Sequence, residues 1–306
     1  MPELFPKPAI REVDACVRRC FPTLPIGRVR LLSEGWDSWA YEAVGAEAVY
    51  IFRVPKHPYT ISSQTRERKL MPVIAPLLPL TVPDIAFSCD DGPGTHPFVG
   101  YRKIAGVPLA EMPERRLPDI GAPLGRFLKA LHSIPVEDPR ALGFEAVIAW
   151  RDEIGQLYEK VIRRVFPLIA CESREPAERT FEAFLNDDSN FAFEPCIIHG
   201  DLGPEHVLVD ADSGALAGVI DFGDVTLGDP AHDFTSILKA GLGETLGVQG
   251  VDACLKGYGS GAEDFARRCQ FYAFLLPFHE VLGGLSYGMP DVIESGLRRL
   301  AEPGRD

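Results

Sequence analysis

Residues that could do acid–base or metal chemistry are concentrated in one part of the sequence. They form three short clusters: His199-Gly-Asp201, His206 and Asp221-Phe-Gly223. The apolar runs Val207–Val209 and Leu216–Phe222 are separated by the turn residues Asp212-Ser-Gly214, which predicts a β-hairpin. Such a hairpin would bring the last two clusters together.

The predicted hairpin places the His206 imidazole beside the Asp221 carboxylate. A carboxylate oxygen with retained waters is what Mg²⁺ prefers in proteins, so this pair is a candidate metal site. Asp201 stands five residues before His206, in the preceding loop. It can approach the same centre from another side and accept a proton from a hydroxyl group.

The order and spacing of these clusters resemble those of protein kinases, which carry H-R-D-x-x-x-x-N and then D-F-G. The His-Gly-Asp form at 199–201 resembles the aminoglycoside phosphotransferase family. Having His206 at the Asn position is similar to its 2″-phosphotransferase group and to the macrolide kinases. The run Gly228–Phe234 (GDPAHDF) resembles the family's G-D-P-x-x-D. The resemblance extends from about residue 30 to about residue 285, nearly the whole chain.

The resemblance implies phosphoryl transfer from ATP or GTP to a hydroxyl group. Asp201 would be the catalytic residue that orients the hydroxyl, and His206 and Asp221 would hold Mg²⁺ on the nucleotide phosphates. Asp229 and Asp233, after the metal motif, are expected to cap a helix or brace the catalytic loop rather than to contact substrate. His132, beside an apolar helix face, is expected to be structural.

The elements that must position these residues change in type along the chain. The first hundred residues predict a β-rich lobe with an N-terminal helix over 8–21 and an inserted helix, Thr60–Ile74. The predicted strands there are Val29–Leu32, Ser38–Val44, Ala48–Val54, Thr81–Phe87 and Phe98–Ile104. Farther on, helical spacing dominates, for example over Ile120–Leu131 and Phe144–Leu168.

We therefore expect an α+β, bilobal, protein-kinase-like fold, with a small β-rich N-terminal lobe and a larger, mainly helical C-terminal lobe. Residues 1–101 would form the nucleotide-binding lobe, 102–106 the hinge, and 107–306 the catalytic and substrate-binding lobe. In this fold the hinge receives the nucleotide base through backbone groups, here at Tyr101 and Ile104.

A kinase-like lobe needs a cation for the phosphates and a helix Glu to hold that cation. Arg53 is the expected cation, in place of the usual kinase Lys, because Arg can also bind phosphate oxygens. Glu67 is its expected partner, and Lys56 is the alternative cation. The loop that would cover the phosphates is Ser33-Glu-Gly-Trp-Asp-Ser38, with Ser33, Gly35 and Ser38 as nucleotide-binding candidates.

The chain has 306 residues and a formal net charge of −13. Residues 1–100 hold 11 basic and 11 acidic side chains, and residues 101–306 hold 20 basic and 33 acidic ones. Such a chain is a poor binder of nucleic acid and of anionic membranes. Its acidic second part favours a cationic small-molecule acceptor, with Asp201, Asp224 and Glu280 as candidate contacts.

The acceptor stays open between several classes. An aminoglycoside, phosphorylated as a means of antibiotic resistance, is the leading expectation. The helix after Asp233 lacks the carboxylates of the 2″-phosphotransferase group, and Phe271–Glu280 is mostly apolar. These features would suit a macrolide, and a metabolite such as an amino alcohol or a sugar is also open. Other classes of protein are a nucleotide-binding pseudokinase and a hydrolytic metalloenzyme using His199, Asp201, His206 and Asp221.

The cysteines and the N-terminus give an expectation of cellular location. Seven cysteines without a C-x-x-C motif indicate reduced thiols. Cys16 and Cys20 are expected to pack in a core. The N-terminus has no apolar signal-peptide region, and no segment is apolar for the roughly 18 residues of a membrane span. We expect a cytoplasmic protein without membrane attachment, and a monomer is favoured.

Overall fold

The structure, a computed structural model, describes residues 4–92, 97–112, 117–144, 149–259, 261–262 and 264–301. Its strands are β1 (Ile26–Glu34), β2 (Ser38–Gly45), β3 (Val49–Pro55), β4 (Phe87–Cys89), β5 (Phe98–Arg102), β6 (Val107–Pro108), β7 (Cys196–Ile198), β8 (Val207–Val209), β9 (Leu216–Val219) and β10 (Thr226–Gly228). Its α-helices are α1 (Ile10–Cys20), α2 (Pro58–Ile74), α3 (Gly121–His132), α4 (Trp150–Arg164), α5 (Cys171–Leu185), α6 (Thr235–Lys239), α7 (Gly241–Tyr258), α8 (Phe265–Tyr287) and α9 (Pro290–Ala301).

The first part of the chain forms an antiparallel five-stranded sheet in the order β1-β2-β3-β5-β4. Strand β3 lies at its centre, and the register pairs Arg53 with Ala40 on one side and with Val99 on the other. Helix α1 closes a small core with residues of the sheet, including Val13, Val17, Tyr41, Phe52 and Phe98. Burying these side chains fixes which face of β3 is left for Arg53.

The second part is mainly helical and contains two small sheets, β6-β8-β9 and β10-β7. Helix α3 packs on α7, and α8 packs on α9. The apolar residues predicted at helical spacing along α3, namely Leu124, Phe127, Leu128 and Leu131, are fully buried. Each such side chain contributes about 1.5–3 kcal/mol through burial. The result is the predicted mixed fold of a β-rich part followed by a helical part.

One predicted strand is wrong. Within the expected strand Thr81–Phe87, only Thr81 forms a bridge, to Gly218 of β9, and β4 begins at Phe87. Pro83 lies in this segment, and a proline has no N–H group to donate to a ladder. The short strands β6 and β10 were not anticipated, because two or three residues are too few to show alternation.

The expected helix Phe144–Leu168 is shorter in the structure. Helix α4 begins at Trp150 and ends at Arg164, and a single 3₁₀ turn, Phe166–Leu168, follows it. Residues 145–148 lie outside the part of the chain that the structure describes, as do residues 93–96.

The expectation that all thiols are reduced is also wrong. Cys20, the last residue of α1, forms a disulfide with Cys89 of β4, with the two Cα atoms 6.2 Å apart. Packing of α1 on the sheet brings these residues together, although 69 positions separate them. Cys16 is buried in the small core, as predicted. Among the described residues, no helix combines the length and the apolar character needed to cross a membrane.

Candidate active site

The loop that carries Asp201 runs from the end of β7 to the start of β8, and the Asp233 carboxylate binds its backbone. The Asp233 carboxylate accepts hydrogen bonds from the backbone N–H groups of His199 (2.7 Å) and Gly200 (2.9 Å). It also contacts Nε2 of His132 at 3.0 Å. The structure thus gives Asp233 the bracing role and His132 the structural role predicted from sequence.

Local structure explains why the first two residues of the His-Gly-Asp motif are His and Gly. The fully buried His199 ring donates from Nε2 to the carbonyl of Ile220 at 2.9 Å, which ties the loop to the chain before Asp221. Gly200 has φ of 85°, in the left-handed region that favours glycine. A Cβ atom there would lie 2.4 Å from the carbonyl oxygen of Asp224, so only glycine fits.

His206 and Asp221 meet across the β8–β9 hairpin, as predicted. Antiparallel pairing of Val207 with Val219 brings His206 Nε2 to 3.8 Å from Asp221 Oδ2. The other ring nitrogen, Nδ1, donates to the backbone carbonyl of Asp201 at 2.7 Å. Since a carbonyl can only accept, this contact fixes the proton on Nδ1 and leaves the Nε2 lone pair of the neutral ring facing Asp221.

The carboxylates around His206 attract positive charge to this position. Desolvation lowers the pKa of the imidazole, but the carboxylates of Asp221 and Asp201 outweigh it, and the net pKa is raised. For Asp221, desolvation is opposed by Arg53 and His206, which leave the pKa of its carboxyl below the usual value. An ionised carboxylate facing an imidazole lone pair is a donor set that fits Mg²⁺, which needs few protein ligands when phosphates supply others. Within the described residues no group of three or more His, Cys, Asp or Glu side chains could hold a metal.

Arg53 lies between two carboxylates. Its Nη1 donates to both oxygens of Glu67, at 2.7 and 3.0 Å, and its Nη2 lies 3.3 Å from Asp221 Oδ1. Arg53 and Glu67 are both buried, whereas the Asp221 side chain is 45% exposed. The predicted pairing of Arg53 with Glu67 is therefore present, and the same guanidinium reaches the candidate metal ligand.

Asp201 and Asp224 have exposed side chains, and we call the surface that they share with His206 and Asp221 the cleft. Desolvation raises the pKa of Asp201, although His206 and His199 oppose it. Desolvation, followed by the charges of Asp201, Asp37 and Asp221, raises the pKa of Asp224 to about 7. Several carboxylates that repel one another favour the binding of a cation between them.

The other predicted nucleotide-binding residues lie at the turn between β1 and β2. Ser33 and Gly35 are exposed in and after β1, and the Lys56 ammonium donates to the carbonyl of Gly35 at 2.6 Å. Ser38 is buried, with its hydroxyl 3.4 Å from Gln64 Nε2, so its side chain does not reach the surface of the loop.

The expected hinge residues also have defined places. Tyr101 pairs with Ile51 in the sheet and is buried. Ile104, two residues after β5, is buried as well, and its Cγ2 lies 3.1 Å from where a Cβ atom on Gly218 would be. The segment between β5 and β6 thus joins the five-stranded sheet to the β6-β8-β9 sheet.

Glu280, predicted to face an ammonium group of the acceptor, has a charged partner within the chain. Its Oε1 forms an ion pair with Nη1 of Arg299 on α9, and both side chains are about two-thirds covered or more. Helix α9 packs so closely on α8 that a Cβ atom at Gly296 would clash with Pro277 and Val281. This packing, which local sequence does not reveal, sets Arg299 on Glu280.

An aromatic cluster that sequence reasoning missed joins the loop after β1 to the end of α8. We call Trp36, Tyr59 and Tyr287 the rim cluster. The Tyr59 hydroxyl contacts the Tyr287 hydroxyl and the Asp37 carboxylate. The ring centres of Trp36 and Tyr287 are 6.0 Å apart. Trp36 also lies against Gly283, where a Cβ atom would come within 2.6 Å of its ring. The only sequence signal was an exposed Trp in a predicted loop.

A second group, also missed, lies where α4 packs on α8. Trp150 donates from Nε1 to the Tyr272 hydroxyl at 2.9 Å, and its ring lies 5.9 Å from that of His232. His279 stands two helical turns after Tyr272 on α8. It is exposed, yet desolvation, followed by the charges of His232 and Lys160, lowers its pKa to about 4. Burial lowers the pKa of His232 as well, so both imidazole rings are neutral at neutral pH.

Comparison with known proteins agrees with this arrangement. Residues 28–271 match the model of the phosphotransferase enzyme family (APH). Viomycin phosphotransferase from Streptomyces vinaceus is 30% identical over 154 residues, which are 49% of this chain and 52% of that protein. The chain thus aligns with about half the length of this curated relative.

Solved structures are similar over almost the whole chain. The GDP and kanamycin complex of APH(2")-IIia is 26% identical, with a TM-score of 0.81 over 94% of this chain and 96% of that one. The gentamicin complex of APH(2")-IIa is 25% identical, with a TM-score of 0.76 over 93% and 94%. Macrolide 2'-phosphotransferase MphH from Brachybacterium faecium, at 21% identity and a TM-score of 0.71 over 97% and 100%, shows the shared fold alone. The chain belongs to the phosphotransferase enzyme family and has its kinase-like fold.

Proposed function

We propose that this protein transfers the γ-phosphoryl group of ATP or GTP to a hydroxyl group of an antibiotic, with an aminoglycoside as the first candidate. The observation that carries the proposal is the convergence of Asp201, His206 and Asp221 on one cleft, with Arg53 and Glu67 behind them. Family membership supplies the reaction type. The substrates named for the similar structures supply the candidate acceptors.

Asp201 is placed to orient the acceptor hydroxyl and to take its proton. Its carboxylate is exposed in the cleft, and its raised pKa makes it a better base than an ordinary surface Asp. The brace from Asp233 to the backbone of His199 and Gly200 fixes the loop just before it. Such fixed placement is what phosphoryl transfer mainly needs from a protein.

His206 Nε2 and Asp221 would hold Mg²⁺, and the ion when bound neutralises charge on the nucleotide phosphates. Arg53 holds Asp221 in place and adds positive charge on the same side. We assign residues 1–101 to nucleotide binding, 102–106 to the hinge, and 107–306 to catalysis and acceptor binding. The base would lie against Tyr101 and Ile104.

The acceptor end of the cleft fits a molecule with an ammonium group near the reacting hydroxyl. The charges of Asp201, Asp37 and Asp221 act on Asp224, so a cation beside Asp224 relieves this repulsion. This fits a polycationic aminoglycoside, and it also fits viomycin, the substrate named for one relative. Glu280 is not part of this set.

A macrolide is the second candidate. The rings of His232, His279 and Trp150 are neutral and could pack on an apolar acceptor. A largely apolar acceptor with one amino sugar would place its amine at Asp224 and its apolar body against these rings.

The test is a panel of kanamycin, gentamicin, streptomycin, viomycin, a macrolide and an amino alcohol, each offered with ATP and with GTP in Mg²⁺. We expect acceptor-dependent nucleotide turnover with one of the antibiotics. In Asp201→Asn that turnover should fall by at least about a thousandfold, because the proton acceptor is lost, while nucleotide still binds. Asp212→Asn, the same change in the exposed hairpin turn, is the matched control and should leave turnover unchanged.

Turnover that persists in Asp201→Asn would remove Asp201 from its role. A protein that binds nucleotide but turns over none of the acceptors would be a pseudokinase or a kinase of another metabolite. Stoichiometric Zn²⁺ binding without nucleotide binding would instead indicate a metallohydrolase.

A further inference from the structure

Helix α2 reaches across the cleft to the Asp-Phe-Gly segment. The Ser63 hydroxyl donates to the backbone carbonyl of Gly223 at 2.6 Å, and Arg66 Nη2 donates to the same oxygen at 2.9 Å. Ser63 and Arg66 are three residues apart and therefore share one face of α2. A single carbonyl thus receives two side-chain donors from an element of the N-terminal part of the chain.

The same segment contains the one non-glycine residue with positive φ among the described residues, Asp221, at 64°. Residues other than glycine rarely adopt this backbone conformation unless surrounding contacts hold it. Gly223 lies in the middle of those contacts. Its N–H points to Asp221 Oδ1 at 3.4 Å, and a Cβ atom there would lie 3.4 Å from Arg53 and 3.6 Å from Ser63.

We propose that Ser63 and Arg66 are positioning residues that hold the Asp221 carboxylate toward His206 and so set the affinity for Mg²⁺-bound nucleotide. The inference rests on the proposed function, since it concerns the same metal site. Anchoring the Gly223 carbonyl fixes the chain two residues after Asp221. From its left-handed turn, the Asp221 side chain also meets Arg53, with Oδ1 3.3 Å from Nη2.

Two further contacts show why α2 suits this task. Glu67 follows Arg66 directly and holds Arg53, so one helix fixes both the cation and the backbone of the metal ligand. Arg66 also lies against the loop at Gly143, where a Cβ atom would come within 3.0 Å of the Arg66 Cα. Helix α2 is therefore tied to the helical part of the chain at two places.

The experiment measures the dissociation constants of ADP and GDP by calorimetry, with saturating Mg²⁺ and with EDTA. In Ser63→Ala, the constant measured with Mg²⁺ should rise about five- to tenfold, as expected for one lost hydrogen bond, while the value in EDTA stays unchanged. The Mg²⁺ concentration for half-saturation should rise in parallel. Ser63→Thr keeps the hydroxyl and should restore most of the Mg²⁺ effect.

Ser62→Ala is the matched control, the same change at the exposed neighbouring position, and should change neither constant. Arg66→Lys is the second variant and should show the same Mg²⁺-specific loss to a smaller extent. An unchanged Mg²⁺ dependence in both variants would overturn the proposal, as would an equal loss with and without Mg²⁺. If the unchanged protein binds neither nucleotide, it is the proposed function that fails, and this inference fails with it.

Discussion

The two ends of the cleft are built in different ways. At the phosphoryl-transfer end, every key group is held by several partners: Asp233 binds two backbone N–H groups and His132, and Arg53 binds both Glu67 and Asp221. At the proposed acceptor end, Asp224 has an exposed side chain, and the neighbours that shift its pKa act through charge and desolvation.

This difference matches what each end must do. Transfer of a phosphoryl group gains from fixed placement, because misplacing a reacting atom by about 1 Å can cost about a hundredfold in rate. An acceptor site must instead admit a bulky molecule and release its product. The rim cluster, formed by the loop after β1, the start of α2 and the end of α8, brings the loop after β1 into contact with the helical part.

The strongest way to break the rigid end is Asp233→Asn. The two oxygens of the Asp233 carboxylate accept hydrogen bonds from different backbone N–H groups. An amide has only one oxygen, so its NH₂ group would face one of these N–H donors, and the loop before Asp201 should shift. We expect turnover to fall by about a hundredfold or more, and the free energy of unfolding to fall by about 2–4 kcal/mol. Acceptor-dependent turnover and thermal melting measure the two effects.

Asp229→Asn is the control for this prediction. Asp229 is equally buried but binds Arg268, Tyr272 and the N–H of Ala231, not the catalytic loop. The free energy of unfolding of Asp229→Asn should fall by a comparable amount. Its turnover should fall much less, at a temperature where the variant stays folded. Equal losses of activity in the two variants would mean that Asp233 acts only through global stability.

A smaller effect is expected from Arg53→Lys, although Lys is the usual kinase residue. A lysine has one ammonium group and cannot bind Glu67 and Asp221 in the forked geometry of a guanidinium. We expect turnover to fall about 10- to 100-fold, with weaker Mg²⁺-dependent nucleotide binding, because one buried carboxylate loses its partner. Steady-state kinetics and calorimetry with ADP and GDP would measure it.

Lys56→Met is the comparison for Arg53→Lys, since Lys56 is the alternative phosphate cation. Its ammonium binds the Gly35 carbonyl and lies 5.4 Å from the centre of the Trp39 ring. We expect turnover to fall by less than about tenfold, because Lys56 is only partly buried and its ammonium binds Gly35 rather than Asp221. If Lys56→Met lost more turnover than Arg53→Lys, the phosphate-positioning role would pass to Lys56.

The contacts that the sequence could predict are those between elements close together in the chain. The hairpin and its turn residues fixed the approach of His206 to Asp221, because strand pairing follows from local pattern. The same is true of Arg53 and Glu67, which a strand and the next helix bring together. The bracing role of Asp233 followed from its place in a motif, and the structure confirms it.

The failures concern contacts between elements far apart in the chain. Nothing near Glu280 reveals that Arg299 covers it, since that depends on the packing of α9 against α8. The pairing of Cys20 with Cys89 likewise depends on where α1 lies on the sheet. Ser63, Tyr287 and His279 belong to helices whose facing partners no single window of sequence contains.

The smallest predicted effect, Asp224→Asn, tests the acceptor end directly. The pKa of Asp224 is raised to about 7, so its carboxyl is mostly neutral at pH 6 and mostly charged at pH 8. The KM for a cationic acceptor should therefore fall as the pH rises through this range, by a few-fold, as for one exposed charge pair. In Asp224→Asn this pH dependence should disappear, and KM should stay at the value of the unchanged protein at low pH.

Glu280→Gln is the matched control, because Glu280 is a carboxylate of the same helical part that Arg299 already binds. Its KM profile should follow that of the unchanged protein, with at most a loss of about 1 kcal/mol in stability from the broken ion pair. A pH-dependent KM that survives in Asp224→Asn but disappears in Glu280→Gln would reverse the two assignments. The acceptor's ammonium group would then lie at α8, and the acceptor end would extend farther from Asp201 than the carboxylates around Asp224 indicate.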